Sequence, residues 1–245
     1  YMDVTPELNI GRTILNCFIH PDHRKKRLAT RLLGCATHQA KTLGAKVVQV
    51  NIPPDNEIAK RVLLKLGFKF VRRFLELELD IAKAHCQDTG HSALQYRNLQ
   101  RGEEDKLTQL QNRAFADTWG YNPDTVEEIV YRTNLSNHYP EDIILTYDRD
   151  KPIGYCWTRV CETTTGEIKG QIFMLGVDPD YRCSGIGKRV LYSGLTYLKS
   201  KGLHTAGLTV DSENKAARAL YSSVGFKTRT SNLWYEKAIA QDTPA

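Results

Sequence analysis

The second half of the chain contains a short turn whose glycines could bind a phosphate. Residues 182–187 read Arg-Cys-Ser-Gly-Ile-Gly, between an apolar run at 170–177 and a helical apolar repeat at 186–201. Such a turn presents backbone amides at a helix N-terminus, where unpaired amides and the helix dipole favour an anion. A dinucleotide loop would need a third glycine, and Val190 stands at that position. The turn therefore predicts a phosphate contact and disfavours a nicotinamide cofactor.

A tyrosine and an asparagine that follow the turn could also do chemistry. Asn214 is an N-cap residue type, and it opens a predicted helix on which Leu220, Tyr221 and Val224 share one face. A phenol beside a departing thiolate could protonate it as a general acid. The residues alone fit two simpler interpretations equally well, a half-buried helix tyrosine and an ordinary helix cap.

The elements that must position these residues occur twice. Residues 21–69 align without a gap on residues 179–227, at a constant offset of 158 residues. A repeat of this length predicts two copies of one domain rather than a solenoid. The copies differ where chemistry would take place, because Arg27 stands where the second copy has Gly185 and Leu63 stands where it has Tyr221.

Each copy reads as strand, helix, strand, helix, strand, which predicts an α/β (α+β layered) fold with a mixed central sheet flanked by helices. The division we predict is a partial, degenerate domain at 1–83, a linker at 84–92 and a complete domain at 93–245. Residue 1 corresponds to residue 159, so the first copy is expected to lack its front half. Whether that half is missing from this chain or from the protein is left open.

In the second copy, strands are predicted at 170–177, 203–210 and 226–237, and helices at 186–201 and 214–224. Ahead of them, helices are predicted at 107–118 and 125–133, and strands at 142–147 and 152–160. In the first copy, strands are predicted at 14–19, 45–52 and 68–79, and helices at 28–43 and 56–66.

The composition bounds the function classes. The 41% hydrophobic and 25% charged content is ordinary for a soluble globular protein, and no apolar run approaches a membrane span. The six cysteines are scattered without a CxxC pair, which argues against a disulfide framework and against a metal site and favours the cytoplasm. The net charge of +6 is concentrated in the first copy. This basic face is either merely solvated or meets a polyanion, but nucleic acid is not expected, since no aromatic residues interleave it.

The string LGVDPDYRCSGIG at 175–187, followed by Asn214, Leu220-Tyr221 and Gly225-Phe226, resembles the GNAT acetyltransferase superfamily. The tandem layout and the string GYCWTR at 154–159 look most like the mycothiol synthase type within it, which acetylates a cysteinyl amine. The resemblance covers about 140 residues of the second copy and about 70 of the first. It implies an acetyl-CoA-dependent N-acetyltransferase that acts on a small-molecule amine by direct transfer in a ternary complex.

Carried over by position, the resemblance implies cofactor contacts along the strand, the turn and the following helices. The backbone of Leu175 and Val177 is expected to pair with the pantetheine arm, as an added strand pairs with a sheet edge. The amides from 182 to 188 are expected to hold the pyrophosphate, and Tyr221 matches the family's general acid. The full set of expected cofactor residues is Leu175, Gly176, Val177, Arg182, Cys183, Ser184, Gly185, Ile186, Gly187, Lys188 and Asn214.

The sequence departs from the resemblance at the general base. Mycothiol-synthase-like enzymes have a glutamate where this chain has Gln171, and a neutral amide cannot accept a proton. Glu167 is the candidate base, acting through water, with Glu162 and Asp211 as alternatives. An α-amine with an unperturbed pKa near ~8 needs less help than a lysine near ~10.4, so we expect an α-amine or another weakly basic acceptor.

Arg159 and its neighbour Trp157 are expected beside the acceptor, although a surface ion pair explains Arg159 equally well. The chief alternative function is a non-catalytic acyl-CoA-binding or scaffold protein, which both Gln171 and the altered first copy allow. The oligomeric state and the identity of the amine are left open.

Overall fold

The structure is a computed structural model that describes residues 1–84, 94–135, 139–163 and 166–240. The strands are β1 (Met2–Glu7), β2 (Arg12–Cys17), β3 (Val47–Ile52), β4 (Lys69–Asp80), β5 (Leu94–Asn98), β6 (Ile143–Asp148), β7 (Lys151–Glu162), β8 (Ile168–Val177), β9 (Thr205–Asp211) and β10 (Lys227–Ala238). The helices are α1 (Leu28–Thr42), α2 (Glu57–Lys65), α3 (Glu104–Phe115), α4 (Val126–Thr133), α5 (Ile186–Ser200) and α6 (Lys215–Val224). The predicted α/β class is confirmed.

Every element that the sequence predicted is present, with its ends shifted by a few residues at most. The sequence missed two strands, β1 and β5, which lie at the ends of the strand order. β1 contains Pro6, a residue that sheets accept at their edges, and the middle of β5 is exposed. An edge strand of this kind lacks the apolar alternation by which buried strands are recognised.

The chain forms two compact units, and the first is assembled from both ends of the sequence. It contains Tyr1–Leu75 and Asp211–Glu213, together with the chain from Thr230 onward. In its sheet β1 and β2 are antiparallel, β2 and β3 are parallel, and β3 and β10 are antiparallel. The side chains of Leu233, Tyr235 and Ile239 are buried in its core. The last strand of the second copy therefore completes the unit that holds the first copy.

The second unit contains Glu76–Val210 and Asn214–Arg229. Its sheet follows the order β9-β8-β7-β6-β5, in which β8 and β9 are parallel and the other pairs are antiparallel. The two units are defined by contacts between residues, whereas the predicted domains at 1–83 and 93–245 are defined by the sequence repeat. The predicted division into domains stays a prediction. All but the first residue of the predicted linker lies outside the described residues.

The residues predicted to begin or end α5 and α6 lie at the ends of these helices. Gly202 follows α5 with a φ of +78°, and Gly225 ends α6 with a φ of +108°. Both are left-handed conformations that glycine adopts without cost. The Oδ1 atom of Asn214 accepts a hydrogen bond of 3.0 Å from the amide of Ala217, so Asn214 is the N-cap of α6.

Candidate functional site

The candidate site begins where two parallel strands part. β8 and β9 pair through Gly170–Ala206, Gln171–Gly207 and Ile172–Leu208, and among the described residues this pairing stops there. On its other side β8 stays paired with β7 as far as Val177. The later part of β8 therefore presents an open edge of backbone donors and acceptors, which an extended ligand can use. Leu175 and Val177 lie on this stretch, and their backbone contact with a pantetheine arm stays a prediction.

Two glycines of the predicted cofactor set are explained by packing. A Cβ atom on Gly176 would lie 2.5 Å from the ring of Tyr155 and 3.0 Å from the Cβ of Ala114. A Cβ atom on Gly187 would lie 3.4 Å from Leu220, so Gly187 allows α5 and α6 to approach each other. The sequence analysis had assigned Gly187 to phosphate approach only, because a string of residues does not show which helix lies opposite.

The turn is tied to α3 by charged side chains. The Nη2 atom of Arg182 donates to the carbonyl of Ala114 (2.7 Å), and its Nε atom donates to the carbonyl of Val177 (3.3 Å). The buried carboxylate of Asp178 accepts from Nε (3.2 Å) and Nη2 (3.0 Å) of Arg113. Burial works to raise the pKa of Asp178, but the bonds from Arg113 and the Asp180 amide, with nearby positive charge, lower it overall. The Arg182 side chain therefore supports the turn, and its predicted cofactor contact stays a prediction.

The turn itself has the backbone of an anion cradle. Cys183 has a φ of +61° and Gly185 a φ of +81°, and the hydroxyl of Ser184 closes the turn by donating to a carbonyl three residues earlier (2.7 Å). A Cβ atom on Gly185 would meet open space. Within the described chain, the amides from Cys183 to Gly187 donate no hydrogen bond. Unpaired amides at the start of a 15-residue helix, which begins at Ile186, favour an anion there.

Two more predicted cofactor residues lie in the first turn of α5 and at the start of α6. Lys188 lies in the first turn of α5, with its Nζ atom 5.9 Å from the centre of the Tyr192 ring. Asn214 uses its side-chain oxygen to cap α6. Their contacts with a cofactor stay predictions, because the cap alone accounts for Asn214.

Tyr221 lies on the buried face of α6. It is 8% exposed, and its ring meets that of Phe226 edge-on at 5.8 Å. Desolvation by burial raises the pKa of Tyr221 well above its usual value, and the nearby Cys156 thiol adds to the shift. The phenol therefore keeps its proton across the neutral range, as a general acid requires.

The two predicted acceptor residues lie at different depths. Arg159 is paired with Gln171 across β7 and β8, and its guanidinium carbon is 3.4 Å from the centre of the Phe173 ring. Burial lowers the pKa of Arg159. Trp157 is fully buried and meets Phe173 edge-on at 5.3 Å. Arg159 therefore lies on the sheet face, whereas Trp157 packs within the core, and the acceptor contact of each stays a prediction.

The predicted bases lie away from Gln171. Glu167 is exposed just before β8, 3.2 Å from the Nζ atom of Lys169, and four residues of extended chain place it about 13 Å along the strand from Gln171. Glu162 is exposed at the end of β7. Asp211 belongs to the first unit, where it lies 3.7 Å from Arg72. The base role of Glu167 stays a prediction that its position does not favour.

The structure places near Lys169 a carboxylate that the sequence analysis did not consider. Glu78, at the end of β4, accepts a hydrogen bond of 2.9 Å from the Nζ atom of Lys169. The alternation Glu-Leu-Glu-Leu-Asp at 76–80 was a visible signal of a strand with one polar face. The repeat places this segment in the first copy, and nothing in the sequence shows that its strand end belongs to the second unit.

Three further observations concern other kinds of site. No group of three or more His, Cys, Asp or Glu side chains that could hold a metal ion occurs within the described ranges. In the same residues, no helix has both the length and the apolar character needed to cross a bilayer. The described cysteines Cys17, Cys35, Cys156, Cys161 and Cys183 are free thiols.

Comparisons with known proteins agree with this geometry. The model of the acetyltransferase (GNAT) family matches residues 9–68 in the first copy and residues 105–226 in the second. A mycothiol acetyltransferase of Amycolatopsis mediterranei (strain U-32) is 28% identical over 237 residues, which cover 93% of this chain and 76% of the relative. A GCN5-related N-acetyltransferase from Sphaerobacter thermophilus has a similar fold, with a TM-score of 0.76, 22% identity, and coverage of 100% of this chain and 78% of that one. A tandem GNAT protein from the clavulanic acid biosynthesis pathway aligns with a TM-score of 0.65 and 12% identity, over 95% of this chain and 77% of its own. The predicted resemblance and tandem layout are confirmed, and the chain belongs to the acetyltransferase (GNAT) family.

Proposed function

We propose that this acetyltransferase uses acetyl-CoA to acetylate a small-molecule amine, with one working site, in the second copy. The observation that carries the proposal is the direct continuation of the open edge of β8 into the amide cradle before α5. An extended arm on a strand edge, followed by a diphosphate at a helix N-terminus, fits these two features in that order. The match to a mycothiol acetyltransferase supports a small amine as acceptor.

The residues of the site would then divide the work. Leu175 and Val177 hold the arm of the cofactor through their backbone, and the turn around Gly185 holds its diphosphate. Acetyl-CoA supplies the acetyl group as an activated thioester. Tyr221 donates a proton to the sulfur that leaves, since its phenol is protonated at neutral pH. Transfer within a ternary complex needs no covalent enzyme intermediate.

The acceptor is a weakly basic amine, and an α-amine is the best candidate. Gln171 lies opposite Arg159 and accepts a weak hydrogen bond from the Cys161 thiol (3.3 Å). Its neutral amide cannot take a proton from the acceptor amine. An α-amino group with a pKa near ~8 is partly neutral at physiological pH, whereas a lysine near ~10.4 is almost fully charged. Arg159, stacked on Phe173, offers a cation to an acidic or hydroxyl-rich acceptor.

The proposal is tested by incubating the full chain with acetyl-CoA and a panel of amines. Thiol release gives the rate, and mass spectrometry identifies the acetylated product. We expect turnover with α-amines, cysteinyl compounds among them, and little with lysine side chains. Tight binding of acetyl-CoA without thiol release across the whole panel would instead support the non-catalytic acyl-CoA-binding alternative.

The first copy has a structural role in this proposal. It has Leu63, which is buried, where the second has Tyr221, and residues 53–54 are two prolines where the second copy has Asp211-Ser212. It therefore lacks the phenol and two backbone donors. A calorimetric titration of the full chain should give one acetyl-CoA bound per chain. Two cofactors bound with comparable affinity would overturn the assignment of a single site.

A further inference from the structure

We propose that the acceptor amine binds over Gly207 of β9, where the Glu78 carboxylate holds it. The place between the side chains of Gln171 on β8 and Glu78 on β4, which Gly207 leaves without a side chain of its own, is called here the Gly207 slot. The proposal deepens the acetyl transfer proposed above and rests on it. All three residues belong to the second compact unit.

The residues of the slot lie in one row across three neighbouring strands. Gly207 is paired with Gln171 between the parallel strands β9 and β8, and β4 lies on the other side of β9. Backbone hydrogen bonds of 2.8 and 2.9 Å join β4 to β9 at two levels, from Ile81 to His204 and from Ser212 to Arg73. Residue numbers thus rise along β4 as they fall along β9, so the two strands are antiparallel. Counting inward from either bond places Glu78 opposite Gly207.

The row faces away from α5. A Cβ atom on Gly170 would lie 2.8 Å from Leu198 of α5, so the next residue, Gln171, points to the other face of the sheet. The Nζ atom of Lys169, which shares the face of Gln171, donates a hydrogen bond of 2.9 Å to the Glu78 carboxylate. Glu78 and Gln171 therefore line the same face, on either side of Gly207.

Neither backbone conformation nor packing explains a glycine at position 207. Gly207 lies inside a strand and has no left-handed φ. A Cβ atom there would lie 3.7 Å from the carbonyl oxygen of Leu77 and 4.0 Å from that of Gly170, which are ordinary contact distances. Since glycine weakens a strand interior, its presence here indicates a place that a ligand approaches closely.

The first copy fills the corresponding place with a side chain. Gln49 and Glu236 differ from Gly207 and Glu78 by the same offset of 158 residues. Gln49 is 3% exposed and is paired with Glu236 across β3 and β10. Its Nε2 atom donates a hydrogen bond of 2.7 Å to the Glu236 carboxylate. In the copy without a working site, an amide thus occupies the position in which the second copy would bind an amine.

The slot adjoins the place where the acetyl group would lie. In the described chain, β8 and β9 stop pairing at Ile172–Leu208, one residue beyond the pair of Gln171 with Gly207. The proposed diphosphate site lies at the other end of the open edge, after Val177. The thioester end of the cofactor arm therefore comes to the point where the strands part, next to an amine over Gly207.

Glu78 can bind an ammonium group in addition to its protein partners. Its Oε2 atom lies 2.9 Å from Nζ of Lys169, and its Oε1 atom lies 3.4 Å from Nε of Arg229. A carboxylate has about four acceptor positions on its two oxygens, so one donor on each oxygen leaves positions for a third. Lys169 also lies 3.2 Å from Glu167, which shares its charge. The two cations therefore fix the Glu78 carboxylate without filling it.

The row also gives the acceptor a direction. Glu78 is negative at the β4 end, and Arg159, which is paired with Gln171, is positive at the β7 end. Their backbones are about 14 Å apart, or three strand spacings. Both side chains extend over β8, Glu78 toward Lys169 and Arg159 toward Phe173. The acceptor class that fits is a small amine whose acidic or hydroxyl-rich part extends from the amine toward Arg159.

The test fills the slot as the first copy does. Gly207→Gln copies Gln49 and places an amide within reach of Glu78, so we expect the acceptor KM of the full chain to rise at least about tenfold with an unchanged acetyl-CoA Kd. Gly207→Ala, whose methyl group fills only part of the slot, should raise the KM less. Thiol release gives the KM, and calorimetry gives the Kd and shows that each variant is folded.

Glu78→Gln tests the carboxylate separately, because it keeps the shape of the side chain and removes the charge. We expect the acceptor KM to rise about tenfold or more, the cost of losing a hydrogen bond to a charged group. Both substitutions act on one subsite, so the KM of the Gly207→Gln, Glu78→Gln double variant should stay near that of Gly207→Gln alone.

The matched control is Gln49→Ala, which removes the side chain at the corresponding position of the first copy and should leave the acceptor KM unchanged. A wild-type acceptor KM in Gly207→Gln or in Glu78→Gln, or a double variant whose KM multiplies the two single effects, would overturn the subsite while leaving acetyl transfer intact. A wild-type chain that releases no thiol with any amine would overturn acetyl transfer itself, and the subsite with it.

Discussion

The turn before α1 and the turn before α5 have the same backbone and different side chains. Lys25 and Cys183 have φ angles of +62° and +61°, and Arg27 and Gly185 have φ angles of +56° and +81°. Each turn follows a short 3-10 segment and leads directly into a 15-residue helix. The turn of the first copy therefore has the backbone conformation of the second turn without the glycine that adopts it most easily.

The first turn shows that an arginine can hold this conformation. Arg27 replaces the glycine that adopts a left-handed backbone most easily, yet its φ of +56° is left-handed as well. The two turns also share a supporting contact, since the Nε atoms of Arg24 and Arg182 each donate a hydrogen bond of 3.3 Å to the carbonyl five residues earlier. What separates the two copies is the chemistry of their side chains, since their turn geometry is shared.

The largest effect should come from Tyr221, the proposed general acid, which has no counterpart in the first copy because Leu63 stands at that position. Tyr221→Phe removes one hydroxyl and keeps the ring packed on Phe226, so we expect turnover to fall about 10²–10⁴-fold with little change in acetyl-CoA affinity. Steady-state thiol release and calorimetry measure the two quantities. Adding Leu63→Tyr to this variant should restore nothing. A Tyr221→Phe chain with wild-type turnover at every pH would reduce Tyr221 to a core residue.

The next effect concerns the glycine that distinguishes the turns. Gly185→Arg copies Arg27 into the second turn, and the new side chain enters open space, so it meets no protein atom nearby. It would instead occupy the space in front of the amides, and we expect acetyl-CoA affinity to fall at least about tenfold, or about 1.4 kcal/mol. Gly185→Ala is the control for backbone strain without bulk. Calorimetry that shows unchanged affinity in Gly185→Arg would remove the turn from the site.

Most of the fold could be predicted from the sequence, because its signals are local. The caps at Asn214 and Gly225, the glycine turn and the apolar repeat of α5 each depend on a few neighbouring residues. The sequence could not predict that the end of β4 belongs to the second unit and the end of β10 to the first. The contacts that decide this, β10 with β3 and Glu78 with Lys169, join residues that are 91 or more positions apart in the chain. The packing role of Gly187 was missed for the same reason, because Leu220 lies on another helix.

A smaller effect should follow from the anchor that only the second turn has. Asp178 is bound by Arg113, whereas its counterpart, His20, is exposed and accepts a hydrogen bond from the Asp22 amide (3.4 Å). Asp178→Asn should lower the free energy of unfolding by about 1–2 kcal/mol at neutral pH, at the low end for a charged hydrogen bond because Arg113 is half exposed.

The pH dependence of that difference has a definite sign. The pKa of Asp178 is lowered in the folded chain, so its contribution is complete above the unfolded pKa of about 3.9 and is lost as the pH falls through the folded value. The gap between wild type and Asp178→Asn, measured by urea unfolding, should therefore close in acid. The control is Asp180→Asn, an exposed partner of the same arginine, which should change stability by less than about 0.5 kcal/mol. A gap that stays constant down to the lowest pH would show that Asp178 acts through packing alone.

The smallest effect should come from returning glycine to the first turn. A non-glycine residue in the left-handed region costs roughly 1–2 kcal/mol, and Arg27 bears this cost at the start of α1. Glycine would remove it but would give the unfolded chain about 0.4–1 kcal/mol of extra conformational freedom. Arg27→Gly should therefore stabilise the chain by about 0.5 kcal/mol in urea unfolding, and Gly185→Ala should destabilise it by a similar or somewhat larger amount. The two substitutions test the same backbone conformation in opposite directions. A loss of stability in Arg27→Gly would mean that contacts of the arginine side chain hold the first turn in this conformation. The two turns would then have the same backbone for different physical reasons.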